Sequence, residues 1–366
     1  MNLPPKTYII EAEEAKSMAK SKNLTLPQLL PSLIKSAQNL ANPPISNFAV
    51  GVVGLTSDGR IFFGGNIEFP GLPLHHTIHG EQFFITNLAA HAAGAKLLYL
   101  AVSAAPCGHC RQFFQELRGI SDTQIVITDQ PQENPDYKPF SSILPHPFGP
   151  FDLLDENTPL ILEKHNNQLT LKDGNFIIQD EKMCDLPNGF SDLNAKNEEF
   201  FKTEASAAAR GSHAPPKDGN FINQDENTFD LSNGFCKLIA KNKEFLKSEA
   251  LAAARGSHAP YSGCPSGVAL MDCEGKVYKG SYMESAAYNP SMMPVQAALV
   301  AYMVAGGGGY EKIVAAVVVE KEGVVVRQED TARLVLKHLS PKCGACVGPT
   351  VFLSKGGIIR KEGGCV

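Results

Sequence analysis

HGEQFFITNLAAHAAGAKLLYLAVSAAPCGHC, residues 79–110, is the stretch whose reading decides the fold. It reads as a helix, a strand and the start of a second helix. Apolar residues recur at helical spacing from Phe83 to Leu88, and Gly94 ends the pattern, which predicts an amphipathic helix. LLYLAVSA (97–104) is a short apolar run suited to a buried strand, and CGHCRQFFQELRG opens the next helix. QIVITD, from Gln124, is a further strand. Upstream, NFAVGVVGL (47–55) and RIFFGGNIE (60–68) flank the turn Ser57-Asp58-Gly59 and predict a hairpin. Helices alternating with strands around one sheet give an α/β fold, a three-layer α/β/α domain over residues 45–150. Before it, residues 8–41 read as helical, through LPQLLPSLIKSAQNLA, up to the stop at Asn42-Pro43-Pro44.

Both helices of the opening stretch begin on residues that bind metal. His79-Gly80-Glu81 starts one and Pro106-Cys107-Gly108-His109-Cys110 the other, with 24 residues between Glu81 and Pro106. One imidazole and two thiolates are zinc ligands that leave a fourth tetrahedral position open, as a catalytic site requires. A closed structural site would call for a fourth ligand at regular spacing, and none is evident. A helix start also favours thiolate over thiol. In the first turn, His79 and Glu81 can both lean towards the metal. Glu81 is then placed to move protons to and from a metal-activated water. H-x-E…P-C-x-x-C is known as the signature of zinc-dependent base deaminases as a class. Structural zinc is the alternative for the combined motif; taken singly, His79 reads as a satisfied core histidine and the Cys pair equally as a redox pair. Asn66 and Glu68, two apart on a strand, share a face and offer a donor and an acceptor to a sugar's hydroxyls. Arg111, next to Cys110, reads either as a donor to a ligand thiolate or as a surface arginine. His75 and His76 read as polar loop residues.

At 366 residues, two domains are the starting expectation. No stretch approaches the roughly 18 apolar residues of a membrane span, and the N-terminus lacks the features of a leader. The cytosol is therefore the expected location. Net charge is −5 and Trp is absent, which argues against a polynucleotide substrate and for a small one. The middle of the chain holds a tandem repeat of 45 residues, starting at Lys172 and Lys217, each copy ending in an Ala-rich helix and ARGSHAP. Two copies are too few for a solenoid. Only the second runs directly into APYSGCPSG, so that copy is expected to dock. After Pro260 the α/β texture returns: GVALMDC, KVYKGSYME, MMPVQAALVAYMVAGGGG and KIVAAVVVE parallel the first half. Equal spacing sets Tyr282-Met283-Glu284 on Asn66-Ile67-Glu68, and Val295-Gln296-Ala297 on His79-Gly80-Glu81. The second half keeps a scaffold and loses the chemistry. The expected organisation is an N-terminal helical segment (1–44), a catalytic zinc domain (45–150), a linker with the duplication (151–257), a degenerate related domain (258–345) and an atypical tail (346–366).

ISNFAVGVVGL, GGNIEFPGLPLHHTIHGEQ, SAAPCGHCRQFFQEL, LPHPFGP, APYSGCPSGVALMDCEGKVYKGSYMESAAYNPSMMPVQAALV and QEDTARLVLKHLSPKC span most of the chain. Together they resemble the cytidine deaminases of the dimeric, two-domain type of some bacteria and of plants, the plant form most. The resemblance implies one Zn²⁺ per chain on His79, Cys107 and Cys110, with Glu81 as general acid and base. It implies cytidine or 2′-deoxycytidine as substrate: Phe48 stacks on the pyrimidine, Asn66 and Glu68 hold the ribose, and the backbone at Gly80 and Ala105 bonds the base. It further implies a homodimer in which Phe148 reaches the partner's active site, with no nucleic acid and no membrane as partners. The family usually has Ala where this chain has Gly80, so weakened but not abolished activity is expected. Gly80, the duplication and the tail leave a non-catalytic, nucleoside-binding member as the alternative. A polynucleotide-editing deaminase is a further one. The Cys343-Gly-Ala-Cys346 pair in the tail lacks partners for a metal site.

Overall fold

The structure is a computed structural model that describes residues 7–129, 136–171, 231–340 and 351–355. Contacts separate Ile177–Lys241 as one compact unit from Met1–Phe176 with Asn242–Val366. The architecture below is that of the second of these. The first repeat copy and the Cys343–Cys346 pair lie outside the described residues.

The first sheet has the strand order β1-β3-β2-β4-β5-β6. β2 (Gly51–Thr56) and β3 (Ile61–Gly65) form the expected hairpin. β4 (Leu97–Val102) runs antiparallel to β2 and parallel to β5 (Gln124–Ile127), and β6 (Lys138–Pro139) closes the edge. The N-terminal segment is not one helical stretch. Ile9–Ile10 form β1, a β-branched pair laid antiparallel along the β3 edge. Helices α1 (Ala12–Ser21) and α2 (Leu26–Gln38) follow. The break comes from a reciprocal cap: Gln28 Oε1 accepts from the Thr25 amide at 3.0 Å and Thr25 Oγ1 from the Gln28 amide at 3.4 Å. Pro27 sits in the first turn, where its missing N–H costs nothing.

Strand alternation places α2 on one face of β2 and α3 (Gly80–His91) on the other side of the sheet. Glycines permit the close approach. A Cβ on Gly51 would stand 2.8 Å from the Ile34 carbonyl, and one on Gly64 would stand 2.8 Å from the Phe84 amide. α3 is not amphipathic, because every residue from Gly80 to Leu88 is buried. Its outer side is covered by a helix from the second half of the chain, and so no polar stripe is needed.

The second sheet, β7-β11-β10-β8-β9, repeats the plan. β8 (Ser266–Asp272) and β9 (Val277–Ser281) make the hairpin, and β10 (Ile313–Lys321) lies antiparallel to β8. β11 (Val351–Lys355) runs parallel to β10, as β5 does to β4, and β7 (Leu169–Leu171) flanks it. Helix α5 (Leu231–Arg255), from the second repeat copy, buries Leu246, Ala250 and Ala254. Ala250 and Ala254 lie against Gly267 of β8, which makes α5 the counterpart of α2. The degenerate half therefore draws elements from outside residues 258–345, including a strand from the tail. Helices α6 (Pro294–Val304) and α7 (Glu329–Leu339) complete it. No helix among the described residues is long and apolar enough to cross a membrane.

The pairing of the two halves differs from equal spacing. Ile67 bridges Ile78, and Met283 bridges Met292, so the second half's loop is two residues shorter. His79 caps α3 where Met293 caps α6. His79-Gly80-Glu81 thus falls on Met293-Pro294-Val295, not on Val295-Gln296-Ala297. The extra residues accommodate a 3₁₀ turn at Leu74–His76.

Glu116 joins the halves. Fully buried, it accepts from His258 Nε2 at 3.0 Å, the Tyr261 hydroxyl at 2.7 Å and the Ala286 amide at 2.7 Å. The His165 ring lies 5.1 Å from that of His258. Burial, reinforced by His258 and opposed by the Leu160 carbonyl and Glu163, pushes the His165 pKa down to about 4. Folded His165 stays neutral where the unfolded chain takes a proton, below about pH 6.5. Its contribution to stability is full above that pH and is lost as pH falls towards 4. His165→Gln is expected to flatten the decline of the urea midpoint between pH 6.5 and 4 relative to the parent. Parallel declines in the two proteins would refute this assignment.

Candidate active site

His79 stands at the N-cap of α3 and Glu81 in its first turn. Cys107 caps α4 (Gly108–Phe113), one turn before Cys110. Because β4 lies between the two helices in sequence and its neighbours carry them in space, all four side chains meet at one end of the sheet. His79 Nδ1 is 3.5 Å from Cys107 Sγ and 3.4 Å from Cys110 Sγ. Zinc bonds of about 2.3 Å to sulfur and about 2.0 Å to nitrogen, at a tetrahedral angle, set N and S about 3.5 Å apart. The donor set therefore fits zinc in both chemistry and spacing. It is the one His/Cys/Asp/Glu group among the described residues whose ligand atoms converge this way, all within 4.8 Å.

The charges point the same way. The Cys110 thiol, then His79, pull the Cys107 pKa down to about 3. Cys110 is pushed up by that same thiolate, by burial and by Glu81. His79 is raised chiefly by its contact with Cys107. These groups compete for protons at close quarters, and a divalent cation relieves the competition. Glu81 is 5% exposed, with Oε2 3.3 Å from Cys110 Sγ. Burial pushes its carboxyl above the ordinary carboxylate range.

The second cluster adjoins the first through the Ile67–Ile78 bridge. Asn66 Oδ1 accepts from the Val50 amide at 2.8 Å and its Nδ2 donates to the Phe48 carbonyl at 3.0 Å. Glu68 accepts from the Ile45 and Ser46 amides at 2.8 and 2.9 Å and from the Ser46 hydroxyl at 2.5 Å. Burial raises its pKa, but these donors outweigh burial and leave the carboxyl below its usual range. Both side chains thus fold the loop 45–50, which holds Phe48 outward at 59% exposure. Each keeps spare hydrogen-bonding capacity. In the second half Glu284 makes the same contacts with Tyr261, Ser262 and the Ser262 hydroxyl, with no second converging ligand group among the described residues. Loop anchoring is accordingly the role these two glutamates share.

Gly80 is buried, Ala105 exposed, and Phe148 half exposed on a loop whose carbonyl accepts from Gln112 of α4. Arg111 does not donate to a thiolate. Its Nε binds the Pro106 carbonyl at 2.6 Å and its Nη1 the Ile143 carbonyl at 2.7 Å, fastening the Cys107 turn to the loop that leads to Phe148. His75 is exposed and His76 buried, and neither joins the ligand group.

Two residues escaped the sequence reading. His109 lies between the cysteines, its ring 5.3 Å from that of His79 and inclined at 26°. Gln82 holds the His79 amide at 3.1 Å. A helix-start pattern with Gln three residues after the cap could have flagged Gln82.

Gly80 also differs from the expectation of a merely loosened helix start. A Cβ there would meet Val50 Cγ1 at 3.0 Å and Val52 Cγ2 at 3.3 Å. Gly80→Ala alone is expected to lose most of the helix-propensity gain of up to about 1 kcal/mol to this crowding. Gly80→Ala with Val50→Ala should recover it, as a positive coupling in a double-mutant cycle of unfolding free energies. Additive effects would rule the crowding out.

A three-layer domain that gathers an imidazole, two cysteines and a buried carboxylate at two helix starts defines a zinc-binding deaminase-type protein. The family model "cytidine and deoxycytidylate deaminase zinc-binding region" matches residues 26–127. A second model of the same description matches 140–220 and 216–333, the two matches meeting where the second repeat copy begins. Cytidine deaminase 1 of Arabidopsis thaliana is 48% identical over 92% of this chain and 95% of its own. Cytidine deaminase 6 of the same plant is 41% identical over 89% and 93%. A cytidine deaminase of Yersinia pestis is 30% identical over 81% and 75%. The chain belongs to the cytidine and deoxycytidylate deaminase family.

Proposed function

We propose that this protein hydrolyses cytidine and 2′-deoxycytidine to uridine and 2′-deoxyuridine, releasing ammonia. The observation that carries the reading is a buried carboxylate, Glu81, beside three ligand atoms at zinc spacing, in a chain whose named relatives are cytidine deaminases. His79, Cys107 and Cys110 hold one Zn²⁺ per chain. When bound, zinc supplies the Lewis acidity that makes water a nucleophile near neutral pH. Glu81 takes a proton from the attacking water and gives it to the ring nitrogen beside the amino-bearing carbon. It carries the second proton to the departing amine. Water adds at that carbon, its bond to the amino nitrogen breaks, and ammonia leaves.

Phe48 stacks on the pyrimidine, and the backbone at Gly80 and Ala105 bonds the base. Asn66 and Glu68 use their remaining capacity on the ribose hydroxyls. The chain works as a cytosolic homodimer, the degenerate half completing the pair and Phe148 entering the partner's site. The exposure of Phe48 and Phe148 supports that arrangement, since each presents an aromatic ring that the protomer leaves uncovered.

The test is an assay of purified protein for uridine and ammonia in equal amounts, alongside its zinc content. Chelation should abolish turnover and added zinc restore it. A folded protein with one zinc per chain and no turnover would favour the non-catalytic reading. A monomeric mass by light scattering would remove Phe148 from the partner's site.

A further inference from the structure

The two buried glutamines at the third residue of α3 and α6 are each bonded across the interface between the halves. Gln82 Oε1 accepts from the His79 amide at 3.1 Å, while its Nε2 reaches the Pro290 carbonyl of the second half at 3.2 Å. Gln296 does the converse: Oε1 accepts from the Met293 amide at 3.2 Å, and Nε2 donates to the His76 carbonyl of the first half at 2.8 Å. Pro290 lies two residues before Met292 and His76 two before Ile78, the residues that occupy equivalent bridges. The contacts are therefore reciprocal, related by the repeat of the fold.

Each amide can take only one orientation. Turned over, Gln82 would set its oxygen against the Pro290 carbonyl and its NH₂ against the His79 N–H. With the orientation fixed, the second N–H of Gln82 Nε2 faces His109 Nε2 at 3.1 Å. That ring nitrogen must accept, so the proton of neutral His109 sits on Nδ1. The same ring stacks beside His79 and stands between Cys107 and Cys110. Gln82 thus grips one ligand by its backbone and the other ligand segment through His109, while its own place is set by the second half. Gln296 holds the 3₁₀ turn that leads into His79.

We infer that Gln82 and Gln296 form a reciprocal clamp through which the metal-free half positions the zinc ligands of the catalytic half. The second half is then a positioning element for the metal centre as well as a scaffold. This inference rests on the assignment of zinc to His79, Cys107 and Cys110. Neither glutamine touches the reacting atoms; both are positioning residues. Ligand supports of this kind typically change metal affinity by about 10- to 100-fold when removed.

The experiment follows zinc release to a chromogenic chelator in the full-length protein, together with the thiolate-to-metal absorption of its Co²⁺-substituted form. Gln82→Met keeps the side chain's length and removes every bond of the amide. It is expected to speed zinc release by about 10-fold or more and to shift the cobalt spectrum. Gln296→Met, at a side chain bonded to Met293 and His76 and to no ligand residue, is expected to change both in the same direction, and carries the test should Gln82→Met fail to fold. Tyr261→Phe, which deletes a bond to Glu116 at the same interface, serves as the control and should leave release and spectrum as in the parent. Parental release and spectrum in a folded glutamine variant would overturn the clamp, as would an equal effect of Tyr261→Phe. A parent protein that retains no zinc or cobalt would instead overturn the metal assignment, and the clamp with it.

Discussion

Glu81→Gln is expected to lower cytidine turnover by a factor of about 100 to 10,000, the usual worth of general acid–base catalysis, while zinc stays bound. Gln matches the size of the carboxylate and can accept a hydrogen bond through its oxygen, but it cannot take a proton from water or return one to the ring. Zinc retention is expected because the converging donor atoms are His79 Nδ1 and the two cysteine sulfurs, and Glu81 is outside that group. Stability should not suffer. Burial already drives the Glu81 carboxyl towards its protonated form, which marks the ionised group as a cost to the fold. Three readings on one preparation settle the matter: turnover, zinc per chain and melting temperature. Turnover within tenfold of the parent in a zinc-loaded variant would take the proton-carrying role away from Glu81.

The largest stability effect is expected at Glu116, far in sequence from the residues it binds. Glu116→Ala leaves the His258 imidazole, the Tyr261 hydroxyl and the Ala286 amide without their acceptor at a site that excludes water. Unpaired buried polar groups cost about 1–3 kcal/mol each, and removal of one partner of a buried pair costs about 3–5 kcal/mol. A loss of about 3–5 kcal/mol in unfolding free energy is therefore expected, a large share of the stability of an ordinary domain. Glu116→Gln should cost less, since its oxygen can still serve the Ala286 amide. The Tyr261 hydroxyl can turn to accept from the new amide, and His258 can move its proton to Nδ1, which is buried without a partner. Urea unfolding of the two variants distinguishes these cases. A change below about 0.5 kcal/mol in Glu116→Ala, the range of ordinary surface substitutions, would show that Glu116 does not hold the halves together.

The convergence of His79, Cys107 and Cys110 with a buried Glu81 was legible because it follows from residue identity and short spacing. His79 and Glu81 share one helix turn, Cys107 and Cys110 another, and a single strand joins them. The hairpins were legible from their turn residues for the same reason. Beyond that range the reading lost its hold. Asn66 and Glu68 read as a donor and an acceptor for a sugar, but their bonds to backbone groups 16 to 23 residues away carried no signal in the sequence. Arg111 read either as a partner of a thiolate or as a surface arginine, and two carbonyls claim it instead. The two-residue offset between the halves was invisible because equal counting ignores a 3₁₀ turn.

By itself, the sequence determined that His79, Cys107 and Cys110 form a zinc-type donor set with a carboxylate, Glu81, beside it, and that a second half repeats the scaffold without that set. Those follow from local periodicity and from the donor chemistry of a few side chains. Only the tertiary structure decided that Gly80 to Leu88 of α3 are buried on every side, that Glu116 ties residues 142 to 170 positions away, and that Gln82 and Gln296 exchange bonds across the two halves. A side chain's partner is set by which surfaces pack together, and packing brings into contact groups whose separation along the chain carries no local signal.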